Sequence, residues 1–150
     1  MKLKTLALTA VLSFAAPVAM AANCTIDVEG NDAMQFNVTE IEVSKSCDEV
    51  TLNFKHVGNL PKAAMGHNVV ITKAADAQAV VTDAAAAGPA ADYLKADDER
   101  VVVHTDMLGG GEETSITFEP SVFEEGEEYM FFCSFPGHFA VMKGEVKLVD

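Results

Sequence analysis

The chain is short of positive charge, of long apolar runs and of cysteine, and each shortage narrows what it does. Ten Lys and Arg stand against 23 Asp and Glu, a formal charge of −13. So acidic a surface repels nucleic acid and anionic lipid heads and favours basic protein partners. Past the first twenty residues no apolar run is long enough to cross a bilayer, so no membrane insertion is expected and the product should be soluble. The glycine run Gly109-Gly110-Gly111 is followed by no lysine and no helix start, which excludes a phosphate loop. Cysteines number only three, and an odd count needs an explanation.

The amino terminus has the marks of a targeting segment. Lys2 and Lys4 precede an apolar stretch from Leu6 to Val18, and Ala19-Met20-Ala21 supplies a small-x-small cleavage pattern. Residues 1–21 therefore read as a secretory signal peptide and 22–150 as one exported domain. Losing Lys2 and Lys4 and no acid moves the formal charge from −13 to −15. An oxidising compartment permits a disulfide, and Cys24 and Cys47, one hairpin apart, are natural partners. Lipidation of Cys24 is the alternative, and the polar amide of Asn23 argues against it. Either way Cys133 is left over, and a free thiol outside the cytoplasm is a liability unless buried or bonded.

Most of 22–150 reads as short strands. Period-two alternation or continuous apolar runs mark 25–29, 41–43, 50–54, 68–71, 100–104, 115–118, 129–133 and 144–149. Turn residues separate them, at Gly30-Asn31-Asp32, Gly58-Asn59-Leu60-Pro61 and Glu124-Glu125-Gly126. Such spacing suggests an all-β Greek-key sandwich. The alanine-rich segment 74–87, with Asp76 as N-cap and Gly88-Pro89 as stop, predicts one helix inserted outside the sandwich.

The chemistry concentrates in Cys133-Ser134-Phe135-Pro136-Gly137-His138-Phe139-Ala140-Val141-Met142. Thiol, imidazole and thioether on one tight loop form a soft, polarizable donor set, which selects copper over zinc and over hard cations. Two histidines and a cysteine in a plane with a weak axial methionine make an electron-transfer copper site. The second imidazole is best supplied by His67, in Met65-Gly66-His67-Asn68. Taken singly, Cys133 and Met142 read as core packing and His67 as an ordinary strand-end residue; the combination carries the argument. A ligand set filled by protein atoms leaves no open position for substrate, so a carrier is favoured over an enzyme.

These residues, with the flanking Tyr129-Met130-Phe131-Phe132 and the turn Gly58-Asn59-Leu60-Pro61-Lys62, resemble the azurins, bacterial blue (type 1) copper proteins of the cupredoxin family. The resemblance runs through essentially all of 22–150, including Cys24 with Cys47 and the inserted helix. It implies an eight-stranded Greek-key sandwich in the periplasm, holding one copper ion that alternates between Cu(I) and Cu(II). His67, Cys133 and His138 would be the strong ligands, with Met142 and the Gly66 carbonyl as a weak axial pair. Asn68 and the amide of Phe135 would hydrogen-bond around the Cys133 sulfur. An apolar docking patch of Met34, Leu60, Met65, Phe135 and Phe139 would surround His138 on the exposed end of its loop. Phe139, Ala64 and Ala85 depart in size from the usual patch residues, and Val69 stands where azurins often carry a tryptophan. His56 would be a partly buried non-ligand and His104 a surface or strand-end residue.

Three functions follow for comparison. The leading one is a monomeric electron carrier between periplasmic redox proteins, such as a c-type cytochrome and a reductase or peroxidase. A copper chaperone or buffer is the second, and a rigid, filled site argues against it. A thiol enzyme using Cys133 and His138 is the third, and it lacks an orienting acid and an oxyanion hole. The intact mass of exported protein should correspond to residues 22–150 without a lipid, as mass spectrometry of a periplasmic extract would measure.

Overall fold

The structure, a computed structural model, describes residues 23–150; the expected leader, 1–21, and the cleavage point at Ala22 lie outside that range. Two sheets carry the fold. The first has the order β2 (Gln35–Phe36), β1 (Thr25–Asn31), β4 (Val50–His56), β7 (Glu113–Phe118). The second has the order β3 (Glu40–Ser44), β9 (Lys143–Val149), β8 (Tyr129–Phe132), β5 (Val70–Lys73), β6 (Val101–His104). Parallel pairs β1–β4 and β3–β9 sit among antiparallel ones, so the chain crosses repeatedly between sheets. The expected cupredoxin-like sandwich is present, as eight strands of four or more residues plus the two-residue β2.

Alternation in the sequence becomes alternation in burial. Along β4, Val50, Leu52, Phe54 and His56 point inward, as a strand's two-residue period requires. Val50, Leu52 and Phe54 meet Val28 of β1, Ile41 and Val43 of β3, Phe131 of β8 and Val146 of β9 in one core. β5 is buried on both faces, which explains its unbroken apolar run. Ile71 joins the main core, while Val70 faces outward against a second cluster with Phe132, Ala77 and Val80.

Ala77 and Val80 belong to the inserted helix α2 (Ala77–Ala87), which covers the outer face of the second sheet. Asp76 occupies its N-cap position, yet its side chain makes no capping hydrogen bond. A short helix, α1 (Lys62–Met65), which the strand pattern did not foretell, leads into Gly66. Cys24 and Cys47 are disulfide-bonded, as expected, at a sequence separation of 23. By loop entropy the bridge contributes about 3–4 kcal/mol.

Phe131 is fully buried where the two sheets meet. Phe131→Ala should lower stability by about 3–5 kcal/mol, read as a shifted denaturant midpoint with an unchanged slope.

Candidate metal centre

The register between β5 and β8 builds the site. Val70 faces Phe132 across that antiparallel pair, so the residues just beyond it on each strand, 67–69 and 133–135, leave the sheet side by side. Asn68 bridges the two exits: its Nδ2 donates to Ser134 Oγ at 2.9 Å, and its Oδ1 accepts from the Ser134 amide at 2.9 Å. A backbone pair between His67 and Leu108, at 2.8 and 3.0 Å, fixes the upstream limb. Downstream, Gly137 adopts a left-handed φ of 84°, which turns the loop so that the Met142 amide reaches the His138 carbonyl. The Cys133 amide then bonds the Met142 carbonyl at 3.0 Å, closing the loop on itself.

Three donor atoms converge within this frame. His67 Nδ1 and His138 Nδ1 are 3.2 Å apart, and Cys133 Sγ lies 3.8 and 3.5 Å from them. The centre of a triangle with those sides lies about 2 Å from each corner, within reach of ordinary metal–nitrogen and metal–sulfur bonds. Among the described residues this is the group of His, Cys and acidic side chains arranged to hold a metal ion. A soft thiol with two imidazoles fits copper.

Burial sets the protonation of these groups. Desolvation pushes the Cys133 thiol up to about 11, despite backbone hydrogen bonds from Asn68 and Phe135 that favour the thiolate. Desolvation also holds His138 down at about 4, helped by repulsion from His67 and His56, and it lowers His67 too. His67 Nε2 lies 2.8 Å from the Asn31 carbonyl, so it must carry the proton and donate. The neutral ring therefore presents its Nδ1 lone pair inward. His56, fully buried, stacks on His67 at 4.4 Å; its Nε2–H donates to the Met65 carbonyl and its Nδ1 accepts from Gly58.

Met142 is fully buried in the same loop as His138. The Gly66 carbonyl lies 3.7 Å from Cys133 Sγ. A side chain on Gly66 would collide with the Lys62 carbonyl at 2.8 Å and Met107 Sδ at 2.9 Å, so close packing reserves that position for glycine. His138 lies under the surface, 3% exposed, with exposed Pro136, Gly137 and Ala140 around it. It is less open than its place on the loop suggested, because the Phe135 ring covers it at 4.6 Å. Met34 and Leu60 are exposed and Met65 is half-buried. Phe139 turns toward the helix side instead, edge-on to Phe132 and under the Lys143 ammonium. Val57 and Val141, at 46% and 61% exposure, are apolar surface residues that the sequence argument missed. Their signal was available: 56–61 and 133–142 contain no charged residue. His104 is exposed at the end of β6.

The described chain has no helix long and apolar enough to cross a membrane. The family of copper binding proteins described as plastocyanin/azurin matches residues 22–149. An azurin of Pseudomonas aeruginosa is 53% identical over 146 residues, covering 97% of this chain and 99% of the relative. An azurin of Alcaligenes faecalis is 58% identical over 125 residues, covering 83% of this chain and 98% of the relative. Among solved structures, an azurin (Az-iso2) of the obligate methylotroph Methylomonas sp. strain J matches with a TM-score of 0.82. Its sequence identity is 42%, over 86% of this chain and 100% of that one.

With both imidazoles neutral and the thiol protonated at pH 7, loading with Cu(II) should release about one proton per ion, measured by titration calorimetry in buffers of different ionisation enthalpy. The metal-free protein has a pH signature as well. Its unfolded histidines take up protons near their ordinary value of 6.5, whereas folded His138 resists until about 4. Stability should therefore fall as pH drops through that window, and His138→Gln should flatten the slope.

Proposed function

Since the chain belongs to the plastocyanin/azurin family of copper-binding proteins, we propose that it is a periplasmic one-electron carrier whose copper is held by His67, Cys133 and His138. The observation that carries this reading is the convergence of two Nδ1 atoms and one sulfur in a fully desolvated frame. Bound there, copper supplies a Cu(I)/Cu(II) couple.

The chain's own residues supply the rest. His67 and His138 offer neutral nitrogens, and Cys133 offers a thiolate once its proton leaves. Met142 and the Gly66 carbonyl would supply weaker donors to the copper. Asn68 staples both ligand limbs, so the donor set moves little between charge states and reorganisation on electron transfer stays small. Burial keeps water from the donors. No position is left open for a substrate, which supports a carrier and argues against an enzyme.

Transfer requires close approach to a partner. Exposed Met34, Val57, Leu60 and Val141, with half-buried Met65 and Phe135, would form a small dry surface for that approach, suited to brief encounters. The acidic remainder of the chain favours partners with basic surfaces, such as c-type cytochromes, and disfavours self-association, in keeping with a monomer. A leader at 1–21 and the Cys24–Cys47 disulfide support export to the periplasm.

Adding Cu(II) to metal-free protein should give an intense blue colour that Cys133→Ser abolishes; a colourless complex sinks the copper reading. His138→Gly should retain the frame and take up added imidazole with return of colour. Rapid exchange with a reduced c-type cytochrome, slowed by added salt, separates a carrier from a chaperone or buffer.

A further inference from the structure

The segment after α2 holds an unusual backbone. Asp92 and Tyr93, consecutive and neither a glycine, have φ of 48° and 51°. Asp tolerates the left-handed region; an aromatic residue there is uncommon. Such strain persists only where its surroundings impose it, and it gathers at functional sites. Here Gly88, Pro89 and Ala91 carbonyls accept the amides of Tyr93, Asp92 and Leu94 at 3.0–3.2 Å. Farther along, Arg100 grips Asp98 and Asp83, tying the segment back to α2.

The strained pair touches both limbs of the metal centre. Asp92 accepts from Lys62 Nζ at 3.0 and 3.2 Å, and Lys62 opens α1, the helix that delivers Gly66 and His67. A half-exposed ion pair adds little stability, so its use is orientation. Tyr93 meets the other limb. Its ring packs edge-on against Phe135, centroids 5.1 Å apart. Phe135 in turn lies 4.6 Å from the His138 ring, and its amide bonds the Cys133 sulfur.

We infer that Tyr93 is a positioning residue for the metal centre, a strut that seats Phe135 and thereby fixes the amide donated to the Cys133 sulfur and the cover over His138. This rests on the copper reading above for its effect on the bound ion, but the strut itself is a property of the metal-free fold. A donor at the sulfur stabilises thiolate charge and shapes the redox potential. Loosening Phe135 weakens that donor and lowers the potential.

The test uses Tyr93→Phe, which keeps the ring, against Tyr93→Asn and Tyr93→Gly, which tolerate the left-handed backbone without one. In metal-free protein, Tyr93→Asn and Tyr93→Gly should each speed Phe135 amide exchange and Cys133 alkylation about tenfold, by local opening. Tyr93→Phe should match the parent. Copper-loaded Tyr93→Asn should show a lower potential and a shifted thiolate-to-copper band. If both ringless variants keep Phe135 exchange and Cys133 reactivity within about twofold of the parent, the inference is overturned, even where their melting temperature falls. Using two ringless variants guards against one failing to fold. Should the parent protein fail to turn blue, the copper reading falls while the metal-free measurements still decide the strut.

Discussion

Everything at the metal end depends on one piece of backbone pairing, the antiparallel register of β5 on β8. It delivers His67 and Cys133 from strands distant in sequence to the same edge of one sheet. Side chains alternate along a strand, so a slip of one residue would send them to opposite faces. Asn68 locks the register where the ladder ends, bonding Ser134 twice between the two exits. Hydrophobic burial on both faces of β5 makes the slip costly, since Ile71 and Val70 would have to trade places.

The site also carries an electrostatic cost. Two imidazoles and a thiol are desolvated together, and each is driven toward its neutral form. The protein offsets this with fixed dipoles in place of charges. The Asn31 carbonyl accepts a hydrogen bond from the His67 Nε2–H, and the amides of Asn68 and Phe135 face the sulfur. Those partners lie on three separate segments of the chain, which is why the surrounding frame must be stiff.

Much of this was legible in the sequence because its physics is local. Alternation in β4 and the continuous apolar run of β5 followed directly from burial on one face or two. The 133–142 loop announced itself through donor chemistry and turn residues at close spacing. What was missed came from long-range placement. The fixed orientation of His67 depends on the main-chain carbonyl of Asn31, whose partner no side-chain identity reveals. Phe139 lies on the metal-site loop in sequence, yet Phe132 and Lys143 draw it to the helix side. Tyr93 carried no signal, because its importance arises from φ angles and a contact with Phe135 made across the fold.

The placement of the disulfide has a consequence for biogenesis. Cys24 and Cys47 join where β1 and β4 begin, while the metal centre lies where those same strands end, near Asn31 and beyond His56. Seven residues of strand separate the two sulfur systems by roughly 20 Å. Thiolate attack on a disulfide needs contact between sulfurs. Once the sheets have formed, the leftover thiol has no route to scramble the bridge, so oxidation arrives at a single isomer with the buried Cys133 sulfur still reduced.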